Sequence, residues 1–127
     1  MKILIADDSI EIRKRVCELI SELAPQHNIF EAETGQQALD LFNEHHPDLV
    51  IMDLQMPEGN GLAVIKLIRQ GPYHKTRIVV LTHHGEEAYR KRCLELGVDG
   101  FIHKSQVYNQ LPSLLMDILQ LHVDFKS

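Results

Sequence analysis

Leu49-Val50-Ile51-Met52-Asp53 is the stretch that decides the fold. Four large apolar residues in a row, without polar alternation, describe a strand buried on both faces. The run stops at a carboxylate. Pro47 stands just before it, and upstream of that Thr34-Gly35-Gln36-Gln37 reads as a capping box. It opens a helix (α2) whose inner face carries Ala38, Leu41 and Phe42. Downstream, a loop containing Pro57, Gly59 and Gly61 leads to a helix over 62–69 (α3), closed by Gly71-Pro72. Then comes Arg77-Ile78-Val79-Val80-Leu81, a second strand with both faces apolar. Strand–helix–strand of this kind implies parallel pairing, because the helix must carry the chain back across the sheet.

The same alternation continues to both ends. Residues 2–6 form β1, and from Ser9 the residues Val16, Leu19, Ile20 and Leu23 recur at helical spacing (α1) until Pro25. A weaker strand, β2, covers 27–32, which makes 49–52 β3 and 77–81 β4. A helix over 86–96 (α4) has acidic residues in its first turn and Gly97 just past its end. Residues 101–103 are β5. A last helix, α5, runs from Leu111 to about His122 with Leu111, Leu114, Leu115, Ile118 and Leu121 on one side. The expected fold is therefore a flavodoxin-like (βα)5 doubly wound parallel sheet with helices on both faces. One such domain accounts for residues 1–127.

Composition narrows the class further. The 127 residues are 44% apolar and 24% charged, the balance of a folded globular chain. Lys and Arg number 13 against 18 Asp and Glu, a net charge of −5, which argues against direct nucleic-acid binding. No apolar run approaches the roughly 20 residues of a membrane span, and Asp7-Asp8 cuts the first one too early for a signal peptide. The chain is expected to be cytoplasmic, with no membrane partner. Cys17 and Cys93, the two cysteines, sit in apolar helical patterns and read as small buried hydrophobes in a reducing compartment.

In such a sheet, ligands bind beyond the carboxyl ends of the strands, at the switch in strand order. There the sequence sets Asp7 and Asp8 after β1, Asp53 after β3, Thr82 after β4 and Lys104 after β5. Three carboxylates in one cleft repel, so one is protonated or a cation lies between them. Oxygen ligands suit Mg²⁺ better than zinc. A carboxylate beside Mg²⁺, faced by an ammonium and a hydroxyl, suits a phosphoryl group, and aspartate is a competent nucleophile for one. Taken singly each residue has a plainer reading: Asp7-Asp8 as a helix cap, Asp53 as a turn residue, Lys104 as a solvated charge. Their joint placement at different strand ends is what points to phosphoryl transfer.

These residues, with Asp53-Leu54-Gln55-Met56-Pro57 through Gly61 and with Phe101, make the chain resemble a response-regulator receiver domain of two-component signalling, the CheY-like family. The resemblance implies the strand order 2-1-3-4-5 of the chemotaxis regulator. It implies that Asp53 is the phosphoacceptor. It also implies Mg²⁺ held by Asp8, Asp53 and the Gln55 backbone carbonyl, with Asp7 acting through a water. Lys104 and Thr82 would contact the phosphoryl group, and Thr82 and Phe101 would form the switch. Pro57 and Gly61 would shape the loop without touching substrate. The implied partners are a sensor histidine kinase or histidine phosphotransfer protein, and a downstream protein met through α4-β5-α5. The role would be that of a switch that catalyses only its own phosphorylation and dephosphorylation.

The chain departs from the usual pattern in three places: Ser105 where proline is common, Phe101 where tyrosine is frequent, and His83-His84 where the first position is usually small. His83 and His84 border the opening to Asp53 and are expected to gate access. With His103 they could converge on a transition metal, or simply be exposed polar residues. Arg90-Lys91-Arg92 is either a solvated face or a docking patch for an acidic partner. A flavin-binding module of the same fold is disfavoured, since carboxylates replace the phosphate loop after β1. An aspartyl-phosphate hydrolase would need an acid two residues after Asp53, where Gln55 stands. Lys104-Ser105 also resembles a branch that often carries a helix-turn-helix output domain. The alternative is therefore that this is the receiver portion of a longer DNA-binding response regulator.

Overall fold

The computed structural model describes residues 1–23, 26–83 and 87–119. The strands are β1 Lys2–Ala6, β2 Asn28–Ala32, β3 Leu49–Asp53, β4 Arg77–Thr82 and β5 Gly100–His103. The helices are α1 Ile10–Leu23, α2 Gly35–His45, α3 Gly61–Gln70, α4 Glu87–Glu95 and α5 Val107–Ile118. All strand pairs are parallel and the order is β2-β1-β3-β4-β5, as expected for the flavodoxin-like class.

The strands are apolar throughout because both faces of the sheet are covered. Leu4, Val50, Met52, Ile78 and Val80 face one side and pack with Ala38 and Phe42 of α2, Val64, Ile65 and Ile68 of α3, and Cys93 of α4. Their alternating neighbours Ile3, Ile5, Leu49, Ile51, Val79 and Leu81 face the other. These pack with Val16 and Ile20 of α1 and with Val107, Leu111, Leu115 and Ile118 of α5. The period of two along each strand thus sorts the core into two layers. Leu19 and Leu23 flank this second layer rather than filling it.

The helix ends follow their capping chemistry. Thr34 Oγ1 accepts from Gln37 N at 3.0 Å, and Gln37 Oε1 reaches back to accept from Glu33 N at 2.8 Å, one residue earlier than in the standard box. Asn60 caps α3, and Gly97 takes φ 68° just beyond α4. Arg69 fixes the opposite end of α3. Its guanidinium donates to the carbonyls of Leu96, His74, Thr76 and Gly97 at 2.6–2.9 Å, and burial lowers its pKa.

Two expectations differ from the structure. Helix α5 begins at Val107, after a 3-10 turn over Lys104–Gln106, four residues before the expected start at Leu111. Pro112 lies inside the helix, where it forfeits one backbone bond; burial of Val107, Leu111 and Leu115 on either side holds the helix. Cys17 is only half-buried, whereas Cys93 is fully buried as read; burial raises the pKa of both thiols. Pro25, Glu86, Leu121 and His122 lie outside the described residues.

Candidate active site

The carboxyl ends of β1, β3, β4 and β5 meet at one edge of the sheet. Asp53, the last residue of β3, is 3% exposed and is held at both oxygens. Its Oδ1 accepts from Gln55 N at 3.1 Å, and its Oδ2 accepts from Lys104 Nζ at 2.9 Å. Asp7, 1% exposed, accepts from Ser9 N at Oδ1 (2.8 Å). Its Oδ2 lies 2.7 Å from Lys104 Nζ, an ion pair off the axis of a well-aligned hydrogen bond. One buried ammonium therefore bridges two buried carboxylates.

The electrostatics follow from that bridge. Burial pushes the Asp7 carboxyl above its ordinary value, and the Lys104 and Ser9 contacts offset this only in part. For Lys104 burial works against the charged form, but its bonds to Asp7 and Asp53 outweigh it and the pKa rises. Asp8 is exposed at the mouth of the cleft. Oxygens of Asp7, Asp8 and Asp53 lie within 4.8 Å of one another. With all three ionised, the single Lys104 charge leaves two negative charges over. An all-oxygen donor set with that residual charge fits a hard divalent cation such as Mg²⁺.

The loop after Asp53 is locked to α2. Carbonyls of Pro57 and Glu58 accept from Gly35 N (3.2 Å) and Gln36 N (2.9 Å), which satisfies otherwise unpaired amides at the helix start. Gly61 N donates to Leu54 O at 2.9 Å. The backbone passes so close here that a Cβ on Gly61 would meet the Asp53 carbonyl oxygen at 2.3 Å. Beside the carboxylates an open cleft of about 610 Å³ runs between this loop and α4, bordered by Asp8, Gln55, Met56, Tyr89 and Arg92.

Asp53 lies level with Leu81 of β4, so Thr82 stands one step further along that strand, fully buried and level with His103 of β5. Phe101, level with Val80, is half-buried against the layer beneath α4. Among the access-gate candidates, His83 is exposed and its ring centroid lies 6.2 Å from that of His103; His84 lies outside the described residues. Among the described residues, the metal-capable group of three or more such side chains is the aspartate trio rather than the histidines.

Sequence reading missed Arg13. Its buried guanidinium donates to the Asp7 carbonyl (2.6 Å), to Glu31 (3.0 Å) and to Glu33 (3.3 Å), tying the β1–α1 loop to β2 and the segment after it. The available signal was its place on the inner stripe of α1 with Val16 and Ile20.

A parallel sheet in this order, with buried carboxylates and a lysine at its carboxyl edge, defines a switch-point site of the flavodoxin-like class. The chain belongs to the response regulator receiver domain family, whose model matches residues 3–116. It is 39% identical over 104 residues to the transcriptional regulatory protein YdfI of Bacillus subtilis, covering 81% of this chain and 47% of that one. Identity to the transcriptional regulatory protein CpxR of Escherichia coli is 35% over 119 residues, 94% of this chain and 49% of that one. The chemotaxis response regulator CheY4 of Vibrio cholerae superposes with a TM-score of 0.75 at 28% identity, over 94% of this chain and 95% of that one. The chain spans about half the length of the curated relatives it matches. Receiver domains are signalling switches that work with histidine kinases and downstream effectors, and they typically bind Mg²⁺ in an acidic pocket.

Proposed function

We propose that the chain accepts a phosphoryl group on Asp53 from a phosphohistidine of a sensor histidine kinase or histidine phosphotransfer protein. The observation that carries this is the bridge from Lys104 Nζ to Asp53 Oδ2 at 2.9 Å and Asp7 Oδ2 at 2.7 Å, buried at the sheet's carboxyl edge. A carboxylate oxygen of Asp53 attacks phosphorus, the bond from phosphorus to the donor imidazole nitrogen breaks, and the imidazole leaves. The Gln55 amide and Lys104 orient the nucleophile, so little of its freedom remains to be lost at the moment of attack. Lys104 and Thr82 then face the transferred group. Asp8, Asp53 and the Gln55 carbonyl would hold Mg²⁺, with Asp7 close behind; when bound, the ion offsets the charge of the phosphoryl oxygens.

Asp53 itself is buried, and the 610 Å³ cleft beside Asp8 and Gln55 is the approach to it. Thr82 and Phe101 lie on adjacent strands leading to α4, so a shift at the phosphoryl group has a short path to α4-β5-α5. That surface carries the exposed Arg90, Lys91 and Leu94 of α4, and a downstream protein would bind there. The chain's chemistry is confined to its own phosphorylation and dephosphorylation, carried out in the cytoplasm. No helix among the described residues is long and apolar enough to cross a membrane.

Incubation with acetyl phosphate and Mg²⁺ should add one phosphate by intact mass. Asp53→Asn should abolish the addition, and equal labelling of that variant would refute the assignment. A second reading is that the chain is the receiver portion of a longer DNA-binding regulator. It is favoured by the half-length match to transcriptional regulatory proteins. The size of the native polypeptide on an immunoblot separates the two.

A further inference from the structure

We infer that His103 is a positioning residue that latches the backbone following Thr82 to the turn carrying Lys104, each ring nitrogen doing one of the two jobs. The inference rests on the phosphoacceptor reading above. His103 ends β5, level with Thr82 on β4. Its Nε2 lies 2.8 Å from the carbonyl oxygen of His83, the residue after Thr82. Its Nδ1 accepts from Ser105 N at 3.2 Å and lies 2.8 Å from Ser105 Oγ. His103 is thus the N-cap of the Lys104–Gln106 turn, and the first residue of that turn is the lysine that bridges Asp53 and Asp7.

These partners assign the ring's protons. A carbonyl oxygen can only accept, so Nε2 carries the hydrogen. A backbone N–H can only donate, so Nδ1 is bare and takes the Ser105 hydroxyl hydrogen as well. Both ring nitrogens are thus engaged, in one tautomer. Proline at position 105 would supply neither the amide nor the hydroxyl. The cap therefore depends on a residue other than proline at 105, and the serine adds its hydroxyl.

The two bonds act in opposite directions on the switch. The Nδ1 cap fixes the turn that aims Lys104 at Asp53, and so favours holding a phosphoryl group. The Nε2 bond ties residue 83 to β5. When Thr82 moves towards a phosphoryl group on Asp53, the adjoining carbonyl must move too, and this bond resists. It therefore favours the unphosphorylated arrangement. A neutral hydrogen bond of this kind shifts such an equilibrium about 2- to 10-fold.

Amide side chains separate the two roles. In His103→Asn, Oδ1 stands near the place of Nδ1 and keeps the cap, but the side chain is too short to reach the His83 carbonyl. In His103→Gln, Nε2–H reaches towards that carbonyl and the cap is lost. The full chain with Mg²⁺ is titrated with trifluoroberyllate, a phosphoryl mimic, and labelled separately with acetyl phosphate; thermal melts check folding. The Asn variant should bind the mimic about 2- to 10-fold more tightly than wild type. The Gln variant should bind it more weakly and label more slowly. Variants that shift in the same direction, or that follow only their melting temperatures, overturn the latch. A wild-type chain that takes up neither acetyl phosphate nor the mimic overturns the phosphoacceptor reading, and the latch with it.

Discussion

Replacing Gly61 by alanine should damage the site from behind, without touching any group that meets the phosphoryl donor. The glycine opens α3, and its amide donates to Leu54 O at 2.9 Å. An added Cβ would lie 2.3 Å from the Asp53 carbonyl oxygen and 2.9 Å from the Leu54 Cα, where ordinary contacts begin near 3.4 Å. Both obstacles are backbone, so no side chain can rotate away. Relief requires the end of β3 or the start of α3 to move by about 1 Å, and forced repacking of this sort costs about 1–3 kcal/mol. The same displacement moves Asp53 relative to Lys104, and a misplacement of about 1 Å can lower a reaction rate as much as 100-fold. Urea unfolding and acetyl phosphate labelling, on wild type and Gly61→Ala, read the two effects separately. A variant as stable as wild type that labels at the same rate would refute the idea that close backbone approach at Gly61 sets the position of Asp53.

Asp8→Ala should weaken Mg²⁺ binding at least about tenfold and nearly stop labelling, because the exposed member of the trio would supply a ligand oxygen and charge; labelling that persists in excess chelator contradicts this. Burial raises the Cys93 thiol above 9.0, so the folded chain keeps that proton more tightly than the unfolded chain. This contribution to stability is fully present below pH 9.0 and declines as pH rises above it. The loss of urea midpoint between pH 8 and 10 should be smaller in Cys93→Ala, and an equal or larger loss counts against the assignment. His83→Ala keeps the carbonyl that His103 holds but removes an exposed ring beside the site. Its phosphorylated form should decay faster if that ring bars water, and unchanged or slower decay means that it does not.

The sheet could be read in the sequence because strands covered on both faces are written as unbroken apolar runs, and because a carboxylate at the end of such a run has few structural uses. Asp53 was legible for that reason, and Lys104 from its place after β5 taken together with the carboxylates. The unequal fates of Asp7 and Asp8 were not: adjacent residues at a strand end point in different directions, and only the path of the chain shows that Asp7 is buried and Asp8 exposed. Arg13 escaped because a cation on an apolar stripe looks like an interruption until its acceptors, drawn from Asp7, Glu31 and Glu33, are seen together. The first turn of α5 was not legible because Tyr108, Asn109 and Gln110 are exposed and leave Val107 alone to mark the buried face before the stripe that begins at Leu111. The His103 latch has backbone atoms among its partners, and backbone leaves no trace in residue identity.

If Asp53 carries the phosphoryl group as an acyl phosphate, the most direct measurement traps that bond. Hydroxylamine displaces phosphate from an acyl phosphate and leaves a hydroxamate on the carboxyl carbon. After labelling with acetyl phosphate and Mg²⁺ and quenching with hydroxylamine, peptide mapping should find the hydroxamate on Asp53, with the added phosphate lost in equal measure. A phosphate that survives hydroxylamine, or a hydroxamate on Asp7 or Asp8 with Asp53 unmodified, would contradict it.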